Sequence, residues 1–259
     1  MDIELDINKN VEQNAAVYYE KAKKARKKIE GAEKALADAG KKLKILEEKK
    51  EQEDIKQQEV KEEKQRKKHW YEKFRWFFTS EGFLVIGGRD AATNEIVIKK
   101  HTDADDVVFH TDMAGSPFFV LKTEGKKPSE ESIKEVADAT CSFSRAWKLG
   151  LGTQQVFYVK PEQVTKEANT GEYLPRGAFM IKGRTNYVEN EINAAVGITE
   201  DGAVMSGPFE AVKKHCKQYV KIIQGNEKTS DTAKKIKRKI GGEIDDIIRA
   251  MPAGGCQIA

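Results

Sequence analysis

The sequence predicts an α+β chain: a long N-terminal coiled-coil helix, then a mixed, largely antiparallel β-sheet domain with flanking helices. Three observations predict it. Apolar or small residues recur at alternating spacings of four and three from Val11 to Leu46, which is the heptad seam of a coiled coil. Composition changes abruptly at Trp70-Tyr71-Glu72-Lys73-Phe74-Arg75-Trp76-Phe77-Phe78. Beyond it, short apolar runs alternate with turn residues for over a hundred positions, as strands and helices around a core require. The expected divisions are a coiled-coil helix over 1–68, an α+β domain over 69–207, and a C-terminal helical extension over 208–259.

Composition narrows the class. Of 259 residues, 34% are charged, yet the net charge is only +4; a pI near 8.7 suits an anionic partner without naming one. Three cysteines, Cys141, Cys216 and Cys256, are far apart and show no Cys-x-x-Cys spacing, so a reduced, cytoplasmic protein without structural zinc is expected. Met1-Asp2-Ile3-Glu4-Leu5-Asp6 does not lead a basic segment into an apolar run, unlike a signal peptide. No stretch approaches eighteen apolar residues, so no membrane span is expected.

The helical seam runs through Val11, Ala15, Tyr18, Ala22, Ala25, Ile29, Ala32, Leu36, Ala39, Leu43 and Leu46, then thins to Ile55 and Val60. Its alanines would let a partner helix approach closely, and Asn8 or Asn10 can cap the start. Residues 41–75 carry 13 basic and 9 acidic side chains, the pattern of a solvated helix laced with i,i+4 pairs. Gly31 and Gly40 each cost about 1 kcal/mol in a helix interior. No proline accompanies either, so one helix over about 10–75 is expected in preference to a hairpin at Gly40. Its single seam calls for a partner helix, and self-association is the expectation.

The domain opens with a hairpin, Arg75–Thr79 and Phe83–Ile86 around Ser80-Glu81-Gly82. Gly87-Gly88 ends the strand, and Asp90 can cap a helix over Ala91–His101. Val107–His110 and Pro117–Lys122 read as strands. Ser129 opens a helix whose buried stripe is Ile133, Val136, Ala137, Thr140, Cys141 and Trp147. Gln154–Val159, Ala178–Ile181, Ile192–Thr199 and Ala203–Met205 are further strands. Two helices, Pro208–Ile223 and Thr229–Met251, are expected to close the chain. The basic run Lys234–Lys239 reads as a solvated face, because Ile236 and Ile240 continue the buried stripe.

Candidate chemistry is sparse. Gly87-Gly88-Arg89-Asp90 lacks the Lys-Ser/Thr of a P-loop and the third glycine of a dinucleotide fingerprint. Two readings stand: a turn needing positive φ with Arg89 paired to a neighbour, or Arg89 on a ligand phosphate at a helix N-terminus. His110-x-Asp112 ends a strand, but no two of the four histidines have metal-ligand spacing. No nucleophile elbow or His-Glu-x-x-His is present. Neither a cofactor, a metal nor an enzymatic activity is expected; the rival hydrolase reading would gather Arg89, His110, Asp112 and Glu172. The long irregular stretch Pro161–Gly177 holds Lys166, Tyr173 and Arg176, with Lys182, Arg184 and Tyr187 beyond it. Such loops are uncommon unless functional, and this cation–aromatic mixture suits nucleic acid.

Six ordered blocks resemble the NFACT family over roughly 69–188. They are Trp70–Phe77; Leu84–Ala91 with Asn94-Glu95; His110-Thr111-Asp112 with Gly115; Ser144-Arg145-Ala146-Trp147; Gln163–Lys166 with Thr170-Gly171-Glu172-Tyr173-Leu174; and Phe179–Arg184. The upstream helix, with Asn14-Ala15 and Tyr18-Tyr19, is similar to the second half of the family's central coiled coil. The resemblance implies ribosome-associated quality control: binding of the large ribosomal subunit carrying stalled peptidyl-tRNA, through tRNA or rRNA contacts. It marks Arg75, Arg89, Asn94, His110, Asp112 and Lys166 as RNA-binding, together with Glu172, Tyr173, Arg176, Lys182 and Arg184. Arg89 and Lys166 would then meet phosphate on one face, Tyr173 would stack, and Asp112 and Glu172 would position the cations. The alternative makes Arg89 and Asp112 a buried structural pair; a second alternative is a coiled-coil scaffold without RNA contact. The family's N-terminal domain and first coiled-coil helix have no match, so a fragment or a truncated member is expected. Thr111 stands for the usual Ala of His-Ala-Asp, and Glu167 and Asn169 vary the loop motif.

Overall fold

The N-terminal unit is built on one helix, α1 (Val11–Glu62). The structure, a computed structural model, describes residues 3–62, 66–167 and 173–259. Asn10 caps α1 reciprocally with Gln13: the Gln13 amide donates to Asn10 Oδ1 at 2.8 Å, and the Asn10 amide to Gln13 Oε1 at 3.1 Å. Buried Asn14 accepts from the Asp6 amide and donates to the Asp6 carbonyl, tying the preceding segment to the first turn. The helix passes through Gly31 and Gly40 without interruption. Its seam is open: Val11, Ile29, Leu36 and Leu43 are all exposed. The side chains of Leu46, Ile55 and Val60 lie outside the described residues.

The expected continuation to residue 75 is corrected. Trp70–Lys73 is a single 3-10 turn, and β1 (Arg75–Phe78) already begins behind it. The aromatics explain the change. Trp70 stacks on His101 at 4.7 Å and Phe74 meets the same ring at 5.2 Å. Trp76 and Phe77, adjacent in sequence, are both buried on opposite faces of a strand, which a helix could not achieve.

Residues 66–259 form the second unit. In it, β1, β2 (Leu84–Gly87), β3 (Val107–Thr111), β4 (Phe119–Leu121), β5 (Val156–Val159) and β8 (Asn186–Val188) make a six-stranded sheet ordered β1-β2-β4-β3-β5-β8. A two-stranded ribbon pairs β6 (Val164–Thr165) with β7 (Met180–Ile181). Every pairing described is antiparallel, so the expected mixed sheet becomes a wholly antiparallel one. α2 (Ala91–Lys100) and α3 (Glu130–Ser142) cover the sheet, capped by Asp90 and Ser129. Trp147 is not on α3. The chain breaks at Phe143, and Ser144 accepts from the Ala146 amide to start α4 (Arg145–Leu149).

The expected helical extension over 208–259 is also corrected. β9 (Ala194–Thr199), β10 (Val204–Gly207), β11 (Cys216–Gln224) and β12 (Cys256–Ile258) form a second sheet ordered β10-β9-β11-β12. Only α5 (Phe209–His215), α6 (Thr229–Ile240) and α7 (Ile244–Ala250) are helical. In β11, Val220 and Ile222 point inward while Lys221 between them is exposed, a period of two that excludes a helix. α6 and α7 seal this sheet with Ile236, Ile240 and Ile247, and Trp147 joins the same core. The Trp147 indole donates to the Gly255 carbonyl at 3.0 Å.

Gly87 and Gly88 are not at positive φ; they are glycines because atoms press on them. A Cβ on Gly87 would lie 2.4 Å from the Phe119 ring, and one on Gly88 1.8 Å from Asn94 Oδ1. Gly31, by contrast, has nothing within 4 Å of a Cβ. Gly88→Ala is therefore expected to destabilise the second unit by about 3 kcal/mol. Gly31→Ala should stabilise α1 by about 1 kcal/mol. Urea unfolding followed by near-UV and far-UV dichroism measures both; a neutral Gly88→Ala contradicts the contact.

Candidate functional site

The turn 88–95 organises the site. Asp90 accepts from the Thr93 amide at 2.8 Å while Thr93 Oγ1 accepts from the Asp90 amide at 2.9 Å. The bare backbone at Gly88 lets Asn94 reach past it, and Asn94 Oδ1 accepts from the Phe118 amide at 3.1 Å. At the next residue, Glu95 accepts from Lys99 at 2.6 Å and from the Gly177 amide at 3.2 Å, and lies 3.5 Å from Lys166. The Lys99 bond, then the Gly177 amide, hold its carboxyl down at about 2. Gly177 has a φ of 79° and packs on Ala91, where a Cβ would sit 2.5 Å from the Ala91 Cα. That contact seats 175–179 beside the turn.

Between these elements lies a cavity of about 480 Å³. Its charged lining is Arg75, Arg89, Arg145, Lys148 and Arg176 against one carboxylate, Asp90. Its walls include Phe118, Phe143 and Phe179. Two of the arginines are structural. Arg89 donates to the carbonyls of Phe74 at 2.7 Å and Lys73 at 3.1 Å, and to that of Arg249. Arg75 lies over the Phe143 ring at 4.5 Å and donates to the Met251 carbonyl at 3.2 Å. Burial first, then the mutual repulsion of the arginines, lowers Arg75 to about 9; burial, then Arg249, lowers Arg89 to about 10. Both stay cationic at neutral pH. Arg145, Lys148 and Arg176 make no ion pair with any described residue.

Of the eleven residues singled out in the sequence, Arg75, Arg89, Asn94, His110 and Arg176 line this cavity. Lys166 stands just outside, 4.6 Å over the Phe179 ring. Asp112 lies elsewhere, exposed and accepting from the Tyr187 hydroxyl at 3.2 Å. It is no partner of Arg89, whose donors go to carbonyls, so the reading of Arg89 and Asp112 as a buried structural pair is corrected. Tyr173 is exposed, Lys182 is paired with Glu167 at 2.5 Å, and Arg184 is exposed; none of the three lines the cavity. Glu172 lies outside the described residues. His110 stacks on Phe118 at 4.0 Å and its Nε2 meets the Ser116 carbonyl at 3.2 Å, which makes that nitrogen the donor. Sequence reasoning passed over Arg145, Lys148 and Phe179. A signal existed: Arg145 and Lys148 are three apart around buried Ala146 and Trp147, so they share the opposite, exposed face of α4.

A family model described as "NFACT protein RNA binding domain" matches residues 73–183. The chain is 45% identical over 199 residues to "Archaeal Rqc2 homolog aRqcH" of Methanocaldococcus jannaschii, covering 74% of this chain and 30% of that protein. It is 37% identical over 180 residues to "Ribosome quality control complex subunit NEMF" of Homo sapiens, covering 68% and 16%. It is 34% identical over 192 residues to the Drosophila melanogaster homolog of that subunit, covering 72% and 18%. The chain thus spans less than a third of the length of these relatives.

Removing the Arg89 guanidinium strips donors from at least three carbonyls. Arg89→Ala is expected to cost about 3 kcal/mol, a fall in Tm on the order of 10 °C; calorimetry with an unchanged Tm contradicts the clamp. His110 gives a pH signature. Burial lowers its pKa below the ordinary 6.5, so the unfolded chain takes up a proton that the fold refuses. Stability from this residue is complete above about pH 6.5 and falls as pH drops toward the lowered value. Between about pH 7.5 and 5.5, wild type should lose more stability than His110→Gln; equal losses contradict a buried neutral ring.

Proposed function

This chain belongs to the NFACT family, and from that premise we propose that its folded domain is an RNA-binding module of ribosome quality control. Its partner is the large ribosomal subunit carrying a stalled peptidyl-tRNA, in the cytoplasm, and it acts by binding rather than by catalysis. The observation that supports this reading is the charge of the cavity, five cations against one carboxylate. Arg145, Lys148 and Arg176 are exposed, and the ends of their side chains are available to phosphate. The names of the similar proteins supply the setting. The open seam of α1 adds a second requirement, a partner helix, either another copy or a segment of a longer chain.

Salt dependence tests the RNA reading. Three phosphate contacts at about −0.7 each put a log–log slope near −2 on these side chains. Wild type is expected to bind ribosomes and short RNAs with at least that slope. A variant carrying Arg145→Gln, Lys148→Gln and Arg176→Gln should lose about two units of slope while melting as wild type does. No RNA retained at low salt, or an unchanged slope in the variant, overturns the assignment.

A further inference from the structure

We propose that the cavity takes one unstacked nucleotide of single-stranded RNA, its base against Phe179 and the Asn94 amide, its phosphate on Arg145 and Arg176. The proposal rests on the RNA-binding reading above and says which form of RNA the site selects. The cavity's size comes first. About 480 Å³ falls within the range of small-ligand sites, roughly 300–1,000 Å³. A duplex cannot place a base there, because its bases are paired and stacked; it could use only the cationic rim.

The walls are the second observation. Phe118 and Phe143 are already engaged, the first stacked by His110 at 4.0 Å and the second covered by Arg75 at 4.5 Å. Phe179 is the partly exposed ring of the three, and an accessible aromatic in a cationic cavity is a stacking platform for any base. Lys166 lies over one face of the Phe179 ring, 4.6 Å from its centre, and Phe118 meets the ring edge-on at 5.4 Å, so a base would take the other face.

The third is Asn94, only 9% exposed. Its Oδ1 accepts from the Phe118 amide, which fixes the orientation of the amide and leaves Nδ2 as the free donor of a residue that lines the cavity. Nδ2 makes no hydrogen bond to any described residue, and the atom is not sealed from solvent. A donor open to solvent and not used within the fold is free to meet a ligand. The ring nitrogen or carbonyl of a base edge would satisfy it.

The experiment compares a single-stranded RNA of about twelve nucleotides, carrying one 2-aminopurine, with a hairpin duplex of similar charge, on wild type and Phe179→Leu. Leucine keeps bulk at 179 and removes the stacking face. Wild type should bind the single strand about tenfold more tightly than the duplex, with 2-aminopurine emission quenched. Phe179→Leu should lose about tenfold for the single strand and stay within about twofold for the duplex. Equal binding of the two RNAs by wild type overturns the proposal while leaving RNA binding intact. So does full single-strand affinity in a folded Phe179→Leu. Failure of wild type to bind either RNA removes the RNA-binding reading itself.

Discussion

The seating of the Asn94 amide against the bare backbone of Gly88 is the contact on which the second unit's functional face depends. A side chain at 88 would occupy the space of Asn94 Oδ1, and without that oxygen the Phe118 amide would be buried unpaired. The same helix then uses its next residue, Glu95, to hold the Gly177 amide and Lys166. One turn of chain therefore sets the position of β4's approach, of α2 and of the 175–179 segment. The cavity is the space left between them.

How the arginines are partnered decides what that space can attract. Carboxylate partners would have satisfied Arg75 and Arg89 and cancelled them. Carbonyls satisfy the donors and leave the charge in place. The cost is visible in the lowered pKa of both groups, which remain protonated by a wide margin at neutral pH. Two buried positive charges, held by neutral carbonyls, thus stand behind a rim of exposed cations. Asp90 is the exception, and the Thr93 amide and hydroxyl occupy it as a helix cap.

Much of this was legible beforehand where period and punctuation agree. The first hairpin, the caps at Asp90 and Ser129, and the β3–β4 pair follow from alternation, turn residues and capping chemistry. β11 was missed because its outward positions include Lys217, Gln218 and Lys221, residue types that helices also favour, and only Val220 and Ile222 carry the alternation. The break before α4 hid behind a stripe that continued in register through Trp147. Arg89 was read as a phosphate ligand or as the partner of Asp112, and in the fold its guanidinium donates to main-chain carbonyls as far away as residue 249. No side-chain pattern announces a carbonyl. Arg145 and Lys148 share one face of α4, but their meeting with Phe179 exists only once two distant segments fold onto one cavity.

The bond from the Trp147 indole to the Gly255 carbonyl bears on what counts as a unit here. The matched family region closes at residue 183, yet β8, at the edge of the six-stranded sheet, starts at 186. The carbonyls that steady Arg75 and Arg89 come from Met251 and Arg249. The family model and the mechanics draw different borders through this chain. A fragment trimmed to the region that the family model matches would keep the arginines of the cavity and discard the carbonyls of residues 249 and 251 that hold two of them, so its silence in an assay would report on carpentry, and nothing about recognition.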